Sequence, residues 1–152
     1  MVTIYTDGSS RGNPGPGGYG TVMLYKGHRK ELSEGFRKTT NNRMELLAVI
    51  AGLEALTKEG VEVLIYSDSK YVVDAVEKGW LWGWVKKNFK GKQNRDLWER
   101  FIPAYRKHKV KFKWVKGHAG IPENERCDQL AVAAAESAGL EPDHWYEQNA
   151  AT

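Results

Sequence analysis

The order of elements read along the chain predicts an α/β protein: one mixed sheet of five strands with helices packed on it. Three observations carry this. Strand-like segments follow one another without a helix up to Lys38. Two later strands, "VEVLIYSD" and "VKFKWVKG", each come after helical stretches. Crossovers of that length return a strand parallel to its neighbour, whereas an all-antiparallel sheet would need hairpins.

"VTIYTD" alternates Val2, Ile4 and Thr6 with Thr3, Tyr5 and Asp7, the period of a half-buried strand. "GSSRGNPGPGG" reads as a Gly/Pro loop. "YGTVMLYKG" and "RKELSEGFRK" read as a hairpin turning near Lys26-Gly27. A helix is expected from Asn42 to Lys58, stopped by Gly60. The next strand, ending at Asp68, is apolar enough to be buried on both faces. "SKYVVDAVEKG" and Trp80–Asn88 read as two short helices, and "NRDLWERFIPAYRKH" as a third that Pro103 kinks or breaks. The last helix, from about Glu123 to Ser137, carries a stripe of Cys127, Leu130, Ala131, Ala134, Ala135 and Ala138. Such small residues let a helix lie close to a sheet. Residues 1–138 are expected to form one domain, and 139–152 a polar tail with no readable element.

The 152 residues suffice for one domain with a proper core. The longest apolar run, Leu46–Leu53, is far short of a membrane span, and no basic n-region marks a signal peptide. Cys127 is the only cysteine, which excludes an internal disulfide and any cysteine-rich metal site. A monomer in a reducing cytoplasm, with no membrane partner, is the simplest expectation. Net charge is +4, but its distribution says more. "KKNFKGKQNR" holds five basic residues and no acid, and "RKHKVKFKWVK" six and no acid. A lone block of this kind is ordinarily a solvated face. Here the first follows "GWLWGW", and basic residues interleaved with aromatics suit nucleic acid.

Two motif matches fail on context. "GPGGYG" fits G-x-G-x-x-G literally, but prolines precede it and a strand, not a helix, follows. The serines after Asp7 lack a G-x-S-x-G setting and a nearby histidine.

Four carboxylates hold more. Each has a bland alternative: Glu45 could complete a capping box with Asn42, Asp7 could be a turn residue, Asp68 could cap the following helix, and Asp128 could be a surface acid. Together they read differently. Asp7 ends the first strand and Asp68 a buried, parallel one, and open α/β sheets place ligands beyond such ends. Glu45 stands at the front of a buried helix and Asp128 beside an apolar stripe. Converging carboxylates repel unless a hard cation neutralises them, and all-oxygen ligation suits Mg²⁺ or Mn²⁺. With His118 in the loop "KGHAG", the set suits phosphoryl transfer.

"YTDGSSRGNPGPGGYG", "TTNNRMEL", "YSDSKYV" and "WVKGHAGIPENERCDQLA", in this order, resemble bacterial type-1 ribonuclease H over nearly the whole chain. The resemblance implies the ribonuclease H fold, a five-stranded mixed sheet of three antiparallel strands with two parallel additions. It implies cleavage of the RNA strand of RNA–DNA hybrids by two Mg²⁺ ions, with Mn²⁺ able to substitute, leaving 5′-phosphate and 3′-hydroxyl ends. Its metal ligands fall on Asp7, Glu45, Asp68 and Asp128, and its loop histidine on His118. Substrate contacts fall on Asn13, Asn41, Asn42 and Arg43, on Lys38, Thr40 and Asn94 as a DNA-phosphate pocket, and on Trp80 and Trp84 as an aromatic channel. Lys70, Lys86 and Lys87 add charge along the same surface, whereas Trp82, Val85 and Phe89 are expected in the core. Lys70 stands where close relatives often have glutamine, Gly79 resembles a one-residue insertion, and the basic connector is short. A catalytically silent hybrid-binding module and a resolvase-like nuclease remain the alternatives. The complete set of acids opposes the first; "TTNNR" and the basic connector oppose the second.

Overall fold

The computed structural model describes residues 1–117 and 120–149. Its sheet has strand order β3-β2-β1-β4-β5. The strands are β1 (Val2–Ser10), β2 (Gly15–Tyr25), β3 (His28–Thr39), β4 (Glu62–Ser67) and β5 (Lys109–Trp114). β1, β2 and β3 pair antiparallel, and β4 and β5 add on parallel, as the long crossovers require.

The helices are α1 (Asn41–Glu54), α2 (Lys70–Glu77), α3 (Trp80–Lys86), α4 (Arg95–Arg106), α5 (Pro122–Glu136) and α6 (His144–Asn149). α1 packs on β1 and β2 and against α4, and is buried on nearly every side from Arg43 to Leu53. That explains its near-uniform apolar sequence. α5 covers β1, β2 and β3.

The glycine-rich stretch is mostly not a loop. β1 runs on to Ser10 and β2 begins at Gly15, with Gly8, Ser9 and Ser10 paired to Tyr19, Gly18 and Gly17. The glycines serve close packing instead. A β-carbon on Gly18, Gly20 or Gly35 would stand 2.5, 2.3 or 2.1 Å from the carbonyl oxygens of Ala131, Cys127 and Ala134. α5 therefore rests on the backbone of β2 and β3, and its own alanines complete the fit.

Other departures have local causes. α1 ends at Glu54, short of Lys58, because the chain folds back so that Leu56 packs on the core and the Gly60 amide donates to the Lys107 carbonyl (2.8 Å). α4 passes through Pro103 unbroken. Pro103 is on the exposed side, where water can serve the Glu99 carbonyl that lost its donor. Val85 is 39% exposed rather than core, whereas Phe89 is buried and Trp82 packs against Tyr105.

The tail is part of the fold. The Arg37 amide donates to the Glu141 carbonyl (2.8 Å), and α6 follows. Asp143 is buried and accepts from Thr39 Oγ1 (2.7 Å) and from the Arg43 guanidinium (2.7 and 2.9 Å). Composition gave no sign of this, because the link is between single residues far apart in sequence.

Cys127 is fully buried and its thiol donates to the Tyr5 carbonyl (3.2 Å). Burial first, and the nearby Asp7 carboxylate second, push that thiol up to about 12. We expect a thiol reagent to modify the native protein at least about 10²-fold more slowly than the denatured chain, because only the thiolate reacts. Titration with a chromogenic disulfide checks this; equal rates would show that the α5–sheet contact opens readily.

Candidate active site

β4 ends at Ser67, and its parallel pairing with β1 runs from Val2↔Val63 to Tyr5↔Tyr66. β1 continues past that point, so Asp7 lies where its partner strand has stopped, with Asp68 just after the end of β4. This is the crevice beyond the carboxyl end of parallel strands.

The third carboxylate arrives through a glycine. A β-carbon on Gly8 would stand 2.3 Å from the Met44 carbonyl carbon and 2.4 Å from the Glu45 amide nitrogen. α1 therefore crosses directly on the β1 backbone, and Glu45 meets Asp7 and Asp68. One oxygen from each of Asp7, Glu45 and Asp68 lies within 4.8 Å of the other two. Asp128 stands apart from that close group but lines the same small cleft as Asp7, Asp68 and Gly117. For Gly8→Ala we expect on the order of 2 kcal/mol of lost stability, from overpacking backbone against backbone. Displacement of Glu45 by an ångström would cost roughly 10²-fold in activity. Melting and cleavage rates check both; a fully active, equally stable variant would show that α1 shifts freely.

The capping readings of these acids fail. Thr40, not Asn42, caps α1, its hydroxyl accepting from the Arg43 amide (3.2 Å), which leaves Glu45 beyond the capping-box position. Ser69, not Asp68, caps α2 through the Val72 amide. Glu45 Oε1 and Asp68 Oδ1 are buried without a hydrogen-bond partner among the described residues. Burial, then the Asp68 charge, pushes Asp7 up to about 7, although the Gly8 amide (2.9 Å) pulls the other way. Burial, then the neighbouring Asp68 and Asp7 carboxylates, hold Glu45 well above the usual range. A divalent cation fits this donor set: it would receive the orphaned oxygens and neutralise the crowded charge.

Asn124 also belongs to the cleft, with its Oδ1 buried and unpartnered among the described residues. It lies one helical turn before Asp128, a spacing from which the sequence could have found it. His118 lies outside the described residues.

The expected substrate residues divide. Asn13 and Asn41 are tied down: Asn13 Oδ1 accepts from the Asn41 backbone amide (3.1 Å), and Asn41 Oδ1 from the Ser10 backbone amide (2.7 Å). This pins the β1–β2 loop to the start of α1, with Asn42 exposed beside it. Trp80 and Trp84 line one groove with Tyr71 and Lys92. Lys70 stacks on Trp114 (4.9 Å), whose indole N–H donates to the Asp68 carbonyl (3.0 Å). Lys38, Lys86 and Lys87 are exposed. Thr40 and Asn94 line one pocket, which Lys38 does not join. Arg43 is a correction. It is 2% exposed, faces inward, and binds Asp96 and Asp143 (2.8 and 2.7 Å), so it supports this surface from below. It also donates to Asn94 Oδ1 (3.3 Å), while Asn94 Nδ2 donates to the Tyr71 hydroxyl (3.1 Å).

A family model described as RNase H matches residues 1–136. The ribonuclease H of Desulforamulus reducens is 64% identical over 147 residues, covering 93% of this chain and 92% of that one. The ribonuclease H of Rippkaea orientalis is 54% identical over 151 residues, covering 96% and 92%. Among solved structures, LC9-RNase H1, a type 1 RNase H with the type 2 active-site motif, superposes with a TM-score of 0.79 at 34% identity, over 99% of this chain and 81% of that one. Fold, site and these likenesses define a metal-dependent nuclease. The chain belongs to the RNase H family.

Proposed function

We propose that this chain is an endoribonuclease that hydrolyses the RNA strand of RNA–DNA hybrids, leaving 5′-phosphate and 3′-hydroxyl ends. The observation that carries the reading is the group formed by Asp7, Glu45 and Asp68, with two orphaned buried oxygens. These three would hold Mg²⁺, or Mn²⁺ in its place, with Asp128 serving a second ion from the cleft wall. A pair of ions held there would supply an activated water and charge stabilisation for the leaving 3′-oxygen. The carboxylates would orient that chemistry, with the cation charge offsetting their mutual repulsion. Gly8 and the packed α1 fix Glu45 against Asp7. His118, between Gly117 and Gly120 in the sequence, moves a proton or assists product release. The basic connector and the Trp80–Trp84 groove receive the DNA strand, and Asn13, Asn41 and Asn42 face the minor groove, where the RNA 2′-hydroxyls lie. The chain acts as a cytoplasmic monomer.

The test is cleavage of a labelled hybrid with Mg²⁺, beside single-stranded RNA, duplex RNA and duplex DNA. Internal cuts confined to the hybrid's RNA are expected. Tight hybrid binding without cutting in either metal would point to a silent binding module instead.

A further inference from the structure

The pocket of about 520 Å³ that holds Thr40 and Asn94, the candidate DNA-phosphate residues, is also lined by Lys92, Gln93, Trp145 and Tyr146, among others. Its outer wall is α6. The Trp145 ring is 37% exposed, yet its position is fixed from beneath, because the buried Arg43 guanidinium lies 5.2 Å from its centre. Tyr146 is held in the same way at 5.9 Å, and Asp143, one turn away, anchors the segment. A large aromatic side chain held rigid with an open face is unusual on a polar tail. Among the described residues no acid lines the groove: the nearby Asp143 is consumed by Arg43 and Thr39, and Glu147 by Arg37 (2.8 Å). Lys92 and Gln93 also line the Trp80–Trp84 groove, and Lys92 stacks on Trp84 (5.2 Å). The two grooves therefore adjoin, sharing Lys92 and Gln93, with aromatic rings in the lining of each.

We infer that Trp145 and Lys92 form an extension of the nucleic-acid surface, which takes the DNA strand after it leaves the Trp80–Trp84 groove. Trp145 offers a stacking face for an unpaired or frayed base, and Lys92 the charge for an adjoining phosphate. The inference rests on the reading of the hybrid as substrate. The tail thereby acquires a binding role in addition to packing.

The test compares a short blunt hybrid with the same hybrid whose DNA strand is extended by about six unpaired nucleotides at one end or the other. Affinities are read by fluorescence anisotropy in an Asp7→Asn background, so that RNA stays intact. One of the two extensions should tighten binding about fivefold to tenfold, the lower part of the range for one stacked base. Trp145→Ala should abolish that gain, and Trp145→Phe, which keeps a ring over Arg43, should keep roughly half of it. Lys92→Ala leaves the tail anchors untouched; it should shrink the gain and reduce the salt dependence of the extended complex by about one phosphate contact. Melting curves identify any variant whose tail has come loose, and Lys92→Ala with Trp145→Phe then decide. No gain from either extension, or a gain that survives both Trp145→Ala and Lys92→Ala, overturns the inference. If the unmutated protein fails to cut the RNA of the blunt hybrid in Mg²⁺, the hybrid reading itself falls.

Discussion

Asp7→Asn should abolish cleavage and yet make the metal-free protein harder to melt. The loss should be on the order of 10³-fold or more, about 4 kcal/mol of transition-state stabilisation, because a neutral amide replaces a charged ligand at the centre of the site. The gain follows from proton linkage. Asp7 is pushed up to about 7 in the fold, from 3.8 for an unhindered carboxyl, so the folded state holds a proton that the unfolded chain has released. Stability is therefore lost as pH rises from about 4 to 7, and the full penalty applies above 7. Asparagine removes it. At pH 8 the metal-free variant should gain on the order of 2 kcal/mol, or about 5 °C in melting temperature, and the gain should vanish near pH 4. Mg²⁺ should reverse the order by stabilising only the form that keeps its ligands. An unchanged or lower melting temperature at pH 8 would mean that hydrogen bonds already relieve the crowding.

The second large effect lies at Asp143. Its removal would leave the Arg43 guanidinium buried with Asp96 and the Asn94 side chain, and the Thr39 hydroxyl without its acceptor. Breaking a buried pair from one side costs about 3 to 5 kcal/mol. For a chain of this size, Asp143→Ala should lower the melting temperature by roughly 10 °C. The double variant Arg43→Met, Asp143→Leu should recover much of that, because no buried charge is stranded. A loss below about 1 kcal/mol in the single variant would show that the tail contributes little to stability.

Why some of this was legible in the sequence is a matter of range. Strand alternation in "VTIYTD", the apolar run of α1 and the small-residue stripe of α5 are local periodicities, and each found its element. Asp7, Glu45 and Asp68, which the fold brings together, lie near the strand ends and the helix start that punctuate the chain. The glycine stretch misled, since glycine marks a turn and a close backbone approach alike, and only the position of α5 decides between them. Arg43 misled for the opposite reason. It adjoins exposed asparagines in "TTNNRMEL", but at the third position of α1 it turns inward to Asp96 and Asp143, partners that no local pattern reveals. Trp145 sat in a segment with no periodicity at all.

The backbone seat of α5 on Gly18, Gly20 and Gly35 has a genetic consequence. Asp128 rides on that helix, whose carbonyls and small side chains press on glycine backbone, so little there can absorb an error in its height. Loss-of-function alleles should therefore collect at glycines that touch neither substrate nor metal, and a second-site suppressor would have to shave a neighbouring residue rather than restore an acid. Tolerance to mutation on this face is set by clearance, and there is none to spare.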